Sequence, residues 1–131
     1  MHDQLESPIQ RETRLLAAQM GLFLWRNNSG AYQDEYGNFI RYGLANDSKR
    51  VNDMVKSSDL IGITPTIVTH EMVGRMIAVF TAVESKKEGW RLLPSDKRGQ
   101  AQARFHDIVR GCGGFAGFVS HPPQLLGVIG R

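Results

Sequence analysis

Val83-Glu84-Ser85-Lys86 closes the most apolar stretch of the chain, MIAVFTAVE over residues 76–84. It sets a carboxylate and an ammonium two positions apart. In an extended strand, side chains at i and i+2 share a face. Glu84 and Lys86 are therefore predicted to point together, and Ser85 the other way. Asp59 opens a second strand-like run, Asp59-Leu60-Ile61-Gly62-Ile63. If that run pairs with the first, the two acids converge. Two convergent carboxylates form a hard-oxygen site suited to Mg²⁺ or Mn²⁺. Such an ion polarises a phosphodiester and lowers the pKa of a water. A neighbouring lysine orients the attacking water or offsets charge building in the transition state. An isolated Glu-x-Lys at a strand end is more often a solvated ion pair, so the chemistry rests on the combination.

The elements that would hold these residues follow from pattern. Ser7-Pro8-Ile9-Gln10 reads as a helix start: Ser7 caps, Pro8 loses nothing by lacking an N–H, and Gln10 completes a capping box. The helix is predicted over residues 7–20, with Ile9, Leu16 and Met20 as its apolar face and Gly21 ending it. Leu22–Arg26 reads as a strand ending in the turn Asn27-Asn28-Ser29-Gly30. Residues 31–58 are polar, with a turn at Gly37-Asn38, a brief strand at Phe39–Tyr42, and a surface loop or short helix across Asn46–Ser58. The Asp59 strand is broken by Pro65 and resumes through Ile67-Val68. Residues 76–84 are apolar on both alternating faces, as a strand covered on both sides should be. Ala101, Phe105, Ile108 and Val109 mark a helix to about Arg110, glycines end it, and Phe115–Ser120 is the last strand. The fold class predicted is α/β, a small mixed central sheet flanked by helices, in a single domain over residues 1–131.

Composition sets bounds on partners. Hydrophobic residues are 41% and charged residues 22% of 131, which excludes wholesale disorder. A net charge of +3 permits a nucleic-acid partner without establishing one. The single cysteine, Cys112, excludes an intrachain disulfide and a cysteine-based zinc cluster. No apolar run approaches the roughly 18 residues of a membrane span, and MHDQLESPIQ has no secretory pattern. A soluble, intracellular (cytoplasmic) protein is expected, neither secreted nor membrane-bound. The histidines form no ligand pattern; His106 and His121 are expected at the surface or in local hydrogen bonds. No phosphate-binding glycine loop precedes a helix.

Taken in order, several short motifs resemble the VRR-NUC family of the PD-(D/E)xK nuclease superfamily. They are Glu6-x-x-Ile9-Gln10, Trp25-Arg26-Asn27-Asn28-Ser29-Gly30, Arg41-Tyr42-Gly43-Leu44, Ser58-Asp59-Leu60-Ile61-Gly62, Val83-Glu84-Ser85-Lys86, and Gln102-x-x-Phe105 followed by Gly113-Gly114-x-Ala116-Gly117. The resemblance implies a restriction-endonuclease-like core and metal-dependent hydrolysis of DNA phosphodiesters, with Mg²⁺ as cofactor and Mn²⁺ as substitute. It implies Asp59 and Glu84 as metal ligands, the Ser85 carbonyl as a backbone ligand, Lys86 as the catalytic lysine and Gln102 as the glutamine behind the site, with Gln100 the alternative. The first-helix acid of the family, catalytic and metal-binding, corresponds to Glu6 or, one turn into the helix, Glu12. The chain departs from the family in Ala45–Ser57, where the family's spacer is usually short, and in Ser58, where a proline is common.

Trp25-Arg26-Asn27-Asn28 reads two ways. Arg26, Asn27 and Asn28 on a strand-to-turn edge can hold DNA phosphates, with Arg41 adding to a basic surface; equally, Trp25 anchors a core and the asparagines make the turn. No recognition helix is visible, so structure-selective cleavage of branched DNA is expected over sequence reading. Stand-alone relatives look like homodimeric resolvases of four-way (Holliday) junctions, and symmetric cutting by one site per chain needs a two-fold axis. The alternatives are a monomeric flap or nicked-duplex nuclease and a non-catalytic DNA-binding accessory module. The apolar tail Leu125–Ile129 either meets a partner or closes its own core.

Overall fold

Residues 5–131 are described in a computed structural model. The chain divides into two compact units, the first ending at Gly62 and the second running from Ile63 to Arg131.

The first unit starts with α1 (Pro8–Gln19). Ser7 caps it by accepting the Gln10 N–H at 3.1 Å, with Pro8 in the first turn. At the other end the Leu22 N–H reaches the Ala17 carbonyl at 2.8 Å and the Gly21 N–H that of Ala18 at 3.1 Å, the paired bonds of a Schellman cap. The helix packs on β1 (Phe23–Arg26) with Ala17 buried, while Ile9, Leu16 and Met20 stay exposed. The predicted apolar face is corrected accordingly: the one buried residue of the helix is the small Ala17, not any of the large residues.

β2 (Gly30–Gln33) and β3 (Phe39–Tyr42) form an antiparallel hairpin with Gly30 opposite Tyr42. Its β2 strand lies in the stretch expected to be merely polar. Asp34 shapes the loop by accepting the N–H groups of Tyr36 and Asn38 at 2.9 and 2.8 Å. Hydrogen bonds from Asn38 hold the Asp34 carboxyl below its ordinary pKa. Asn46, only 3% exposed, closes the open end. Its amide donates to the carbonyls of Gly30 (2.7 Å) and Tyr42 (2.9 Å) and accepts from Arg41 (3.1 Å). After it comes α2 (Lys49–Met54), capped by Ser48.

β4 (Leu60–Ile63) pairs with β1, whereas the expected pairing was with the Glu84 strand. Gly62 accounts for the choice, because a Cβ there would sit 1.7 Å from the Phe23 carbonyl oxygen. Only a bare Cα lets the two backbones approach so closely.

In the second unit residues 64–69 form no strand, and a 3₁₀ turn follows at His70–Met72. The predicted strand over 76–84 is shortened to β5 (Thr81–Ser85). Met76 is 99% exposed. The ladder begins only where a partner emerges from the glycines after the helix, at the Phe115 N–H to Phe80 carbonyl bond of 2.9 Å. That partner, β6 (Phe115–Val119), runs parallel to β5, with Glu84 opposite Phe118. A parallel pair needs a crossover, supplied by α3 (Lys97–Gly111). α3 ends in a second Schellman cap, Gly113 at φ +90° and Gly114 N–H on the Val109 carbonyl at 2.9 Å. Val109 and Ala116 are buried between helix and strands. The tail folds back as α4 (Gln124–Val128) against β6.

Among the described residues the strands form three two-stranded sheets, so the class is mixed α/β. No helix among them is long and apolar enough to cross a membrane.

Candidate active site

β5, α3 and β6 make a βαβ unit, and Glu84 lies near the carboxyl end of β5. Ligands of such units gather at the carboxyl ends of their strands. Strand alternation leaves Ala82 and Glu84 half-buried and Val83 and Ser85 exposed, and half-buried Lys86 continues the inner row. The Lys86 N–H still bonds to the Val119 carbonyl at 2.9 Å. Glu84 and Lys86 thus share a face, as the i, i+2 spacing predicts.

The two do not pair with each other. The Lys86 ammonium donates to Gln102 Oε1 at 2.7 Å. It also lies 4.9 Å from the Trp90 ring centre and 5.8 Å from that of Phe118. A neutral amide and two ring faces orient the cation without cancelling its charge. Glu84 carries no ion pair among the described residues. The carboxylate instead lines a pocket of about 380 Å³ with Arg98, Ala101, Gln102, Phe105 and His106. Gln100 is turned elsewhere, its side-chain amide donating to the Leu93 carbonyl at 3.0 Å.

His106 is the residue most misjudged from sequence. It is 3% exposed, set edge-on against Phe118 with ring centres 4.6 Å apart. Phe118 in turn packs on Trp90 at 4.6 Å. Burial, and next the Arg110 charge, hold the imidazole pKa below its ordinary 6.5, while Glu84 and Asp107 act the other way. Its spacing from Gln102, one helical turn, was a usable signal. Trp90, in what reads as a charged loop, had no signal beyond being aromatic four residues after Lys86.

The remaining predicted residues belong to the first unit. Asp59 is exposed at the entry to β4, and its carbonyl accepts the Asn27 N–H at 2.8 Å. The Asn27 side-chain NH₂ donates to Ser57 Oγ (2.9 Å) and to the Ser58 carbonyl (2.8 Å). Both of its amide protons thus hold the segment that presents Asp59, leaving none for a phosphate. Asn28 and Arg26 are half-buried. Arg41, bound to Asn46, also lies over the Phe39 ring at 5.2 Å. Glu6, just ahead of the helix cap, accepts from Arg14 Nε at 2.5 Å and from its Nη2 at 3.1 Å. That guanidinium hydrogen bond, helped by the charges of Arg14, Arg26 and Arg11, holds the Glu6 carboxyl below its ordinary value. Glu12 stands exposed on α1. Asp59 belongs to the first unit and Glu84 to the second.

Compared with protein-family models, with curated proteins and with solved structures, the chain matches none. Among the described residues no three His, Cys, Asp or Glu side chains form a metal-holding group. Glu84 and Asp59 are both anionic oxygen donors of the kind a hard divalent cation takes, and neither has an ion pair among the described residues.

Proposed function

We propose that the chain is a metal-dependent endodeoxyribonuclease of the VRR-NUC type, with a restriction-endonuclease-like core. The supporting observation is the division of labour on one strand face: Glu84 is left without a cation partner while Lys86 is held, still charged, by Gln102. Contact between an exposed Glu and Lys gains little, so what supports the reading is the placement itself: Lys86 held by Gln102 on the same strand face as a Glu84 that lines the pocket.

In this reading Glu84 would hold Mg²⁺ or Mn²⁺, which when bound would polarise the phosphodiester and acidify the attacking water, and Asp59 is the second acid that the family resemblance assigns to such an ion. The Ser85 carbonyl is assigned to the same ion. Lys86, oriented by Gln102, Trp90 and Phe118, offsets the negative charge that builds on the phosphoryl oxygens. Gln102 acts by fixing the lysine and does not itself touch the substrate. Arg26, Asn28 and Arg41 contribute contacts to the DNA backbone, which give affinity without sequence readout. The substrate is branched DNA such as a four-way junction, cut by a homodimer whose two sites are related by a two-fold axis.

Incubation of the protein and its Lys86→Ala variant with labelled four-way junction, flap and duplex, with and without Mg²⁺ or Mn²⁺, tests this. Paired metal-dependent cuts in the junction, lost in the variant, are expected. Cutting of flaps alone would leave a monomeric nuclease, and binding without cutting under either metal would leave an accessory module.

A further inference from the structure

His106 poses a problem that the proposed chemistry does not use. Its side chain is almost wholly buried. No hydrogen bond to its ring nitrogens occurs among the described residues, and neither nitrogen is among the fully buried unpartnered atoms, so the polar edge of the ring keeps access to solvent. His106 lines the pocket beside Glu84, so a bound molecule can supply the missing partner. The packing against Phe118 fixes the ring plane, making the direction of that bond a property of the fold.

The other lining groups say what kind of molecule. Arg98, in the first turn of α3, is an exposed cation with no ion pair among the described residues. A guanidinium of that kind is suited to two phosphate oxygens at once. Phe105 offers an apolar ring surface on the same helix face, and Ala101 between them leaves room. A volume of about 380 Å³ lies in the ordinary range for small-ligand pockets. A neutral imidazole presents one donor and one acceptor nitrogen, a pattern that matches a base edge.

We propose that this pocket seats one nucleotide of the substrate strand, its phosphate on Arg98, its base against Phe105 and the base edge hydrogen-bonded to His106. The inference rests on the nuclease reading and adds to it the group that fixes where the strand lies beside Glu84.

The probe is thymidine 3′,5′-bisphosphate, titrated into the intact protein in EDTA while the His106 ring resonances are followed by NMR. A saturable shift of those resonances is expected in the wild-type chain, where no substitution endangers folding. Arg98→Ala, at an exposed position, should weaken the binding about tenfold, and His106→Gln should weaken it with the fold retained. Unmoved His106 resonances at saturation, or an Arg98→Ala variant that binds equally well, would overturn the assignment. The two readings fail separately: nucleotide binding at His106 without metal-dependent cleavage keeps the pocket and removes the nuclease, and the reverse result removes the pocket alone.

Discussion

Each unit holds a pocket of about 380 Å³, and the two are built on opposite terms. The first is lined by Arg11, Arg14, Leu15, Ala18, Leu22, Phe23, Leu24 and Trp25. Its Arg14 is occupied by the Glu6 carboxylate, and most of the remaining wall is apolar. The second gathers Glu84, Arg98 and His106, none of which has a hydrogen-bond or ion-pair partner within the described chain. Equal volume therefore says little about use. A polar group whose partner is already in the fold serves the fold, whereas side chains left unpaired around one hollow keep their hydrogen-bonding capacity for solvent or a ligand. The same contrast separates Glu6 and Glu84, two of the acids that the sequence offers to a metal. Glu6 is locked to a guanidinium, and Glu84 is open.

The largest effect that can break this comparison is on cleavage. Glu84→Gln removes an anionic oxygen at nearly constant volume and is expected to lower metal-dependent cleavage by about 1,000-fold. Glu6→Gln should leave the rate within a few fold. Equal losses in the two variants would put Glu6 among the metal ligands and erase the distinction between the pockets.

Stability gives a smaller, independent test. Asn46→Ala strips the donors from the Gly30 and Tyr42 carbonyls and the acceptor from Arg41. A loss of about 1–3 kcal/mol in urea unfolding is expected, the range for leaving buried polar groups unmet. Arg98→Ala, at an exposed side chain with no ion pair or side-chain hydrogen bond among the described residues, should stay within about 0.5 kcal/mol of wild type.

What the sequence conveyed divides along a physical line. Local chemistry was legible: the Ser7-Pro8 cap, the short strand at Phe39–Tyr42, the shared face of Glu84 and Lys86, and the helix that carries Gln102 all follow from contacts within a few residues. Pairing between distant segments was not. β4 joins β1 because Gly62 admits the Phe23 backbone, and no hydrophobic pattern records that. The strand at 76–84 was over-read because its apolar residues look alike, whereas its length is set by where β6 leaves the α3 cap. The importance of Asn46 and His106 lies in burial, which an Asn in a polar stretch does not announce and which, for His106, is marked only by its one-turn spacing from Gln102.

The smallest predicted effect concerns pH and follows from Glu6. Its pKa in the folded chain is depressed below the ordinary 4.5, chiefly by the hydrogen bonds from Arg14. Between the lowered folded value and the ordinary one, the unfolded chain binds the extra proton, so stability falls as pH falls through that window. The contribution of the ion pair is therefore fully present above the ordinary carboxylate value and vanishes once the folded carboxyl itself is protonated. Urea unfolding of wild type and Glu6→Gln across the acid range should show a small, constant difference at neutral pH that closes as the pH drops below about 4.5. Because the pair is partly solvated, added salt should shrink the difference as well. A gap that persists into strong acid would mean that Glu6 acts through packing, and the first pocket would then owe its closed character to shape and not to charge.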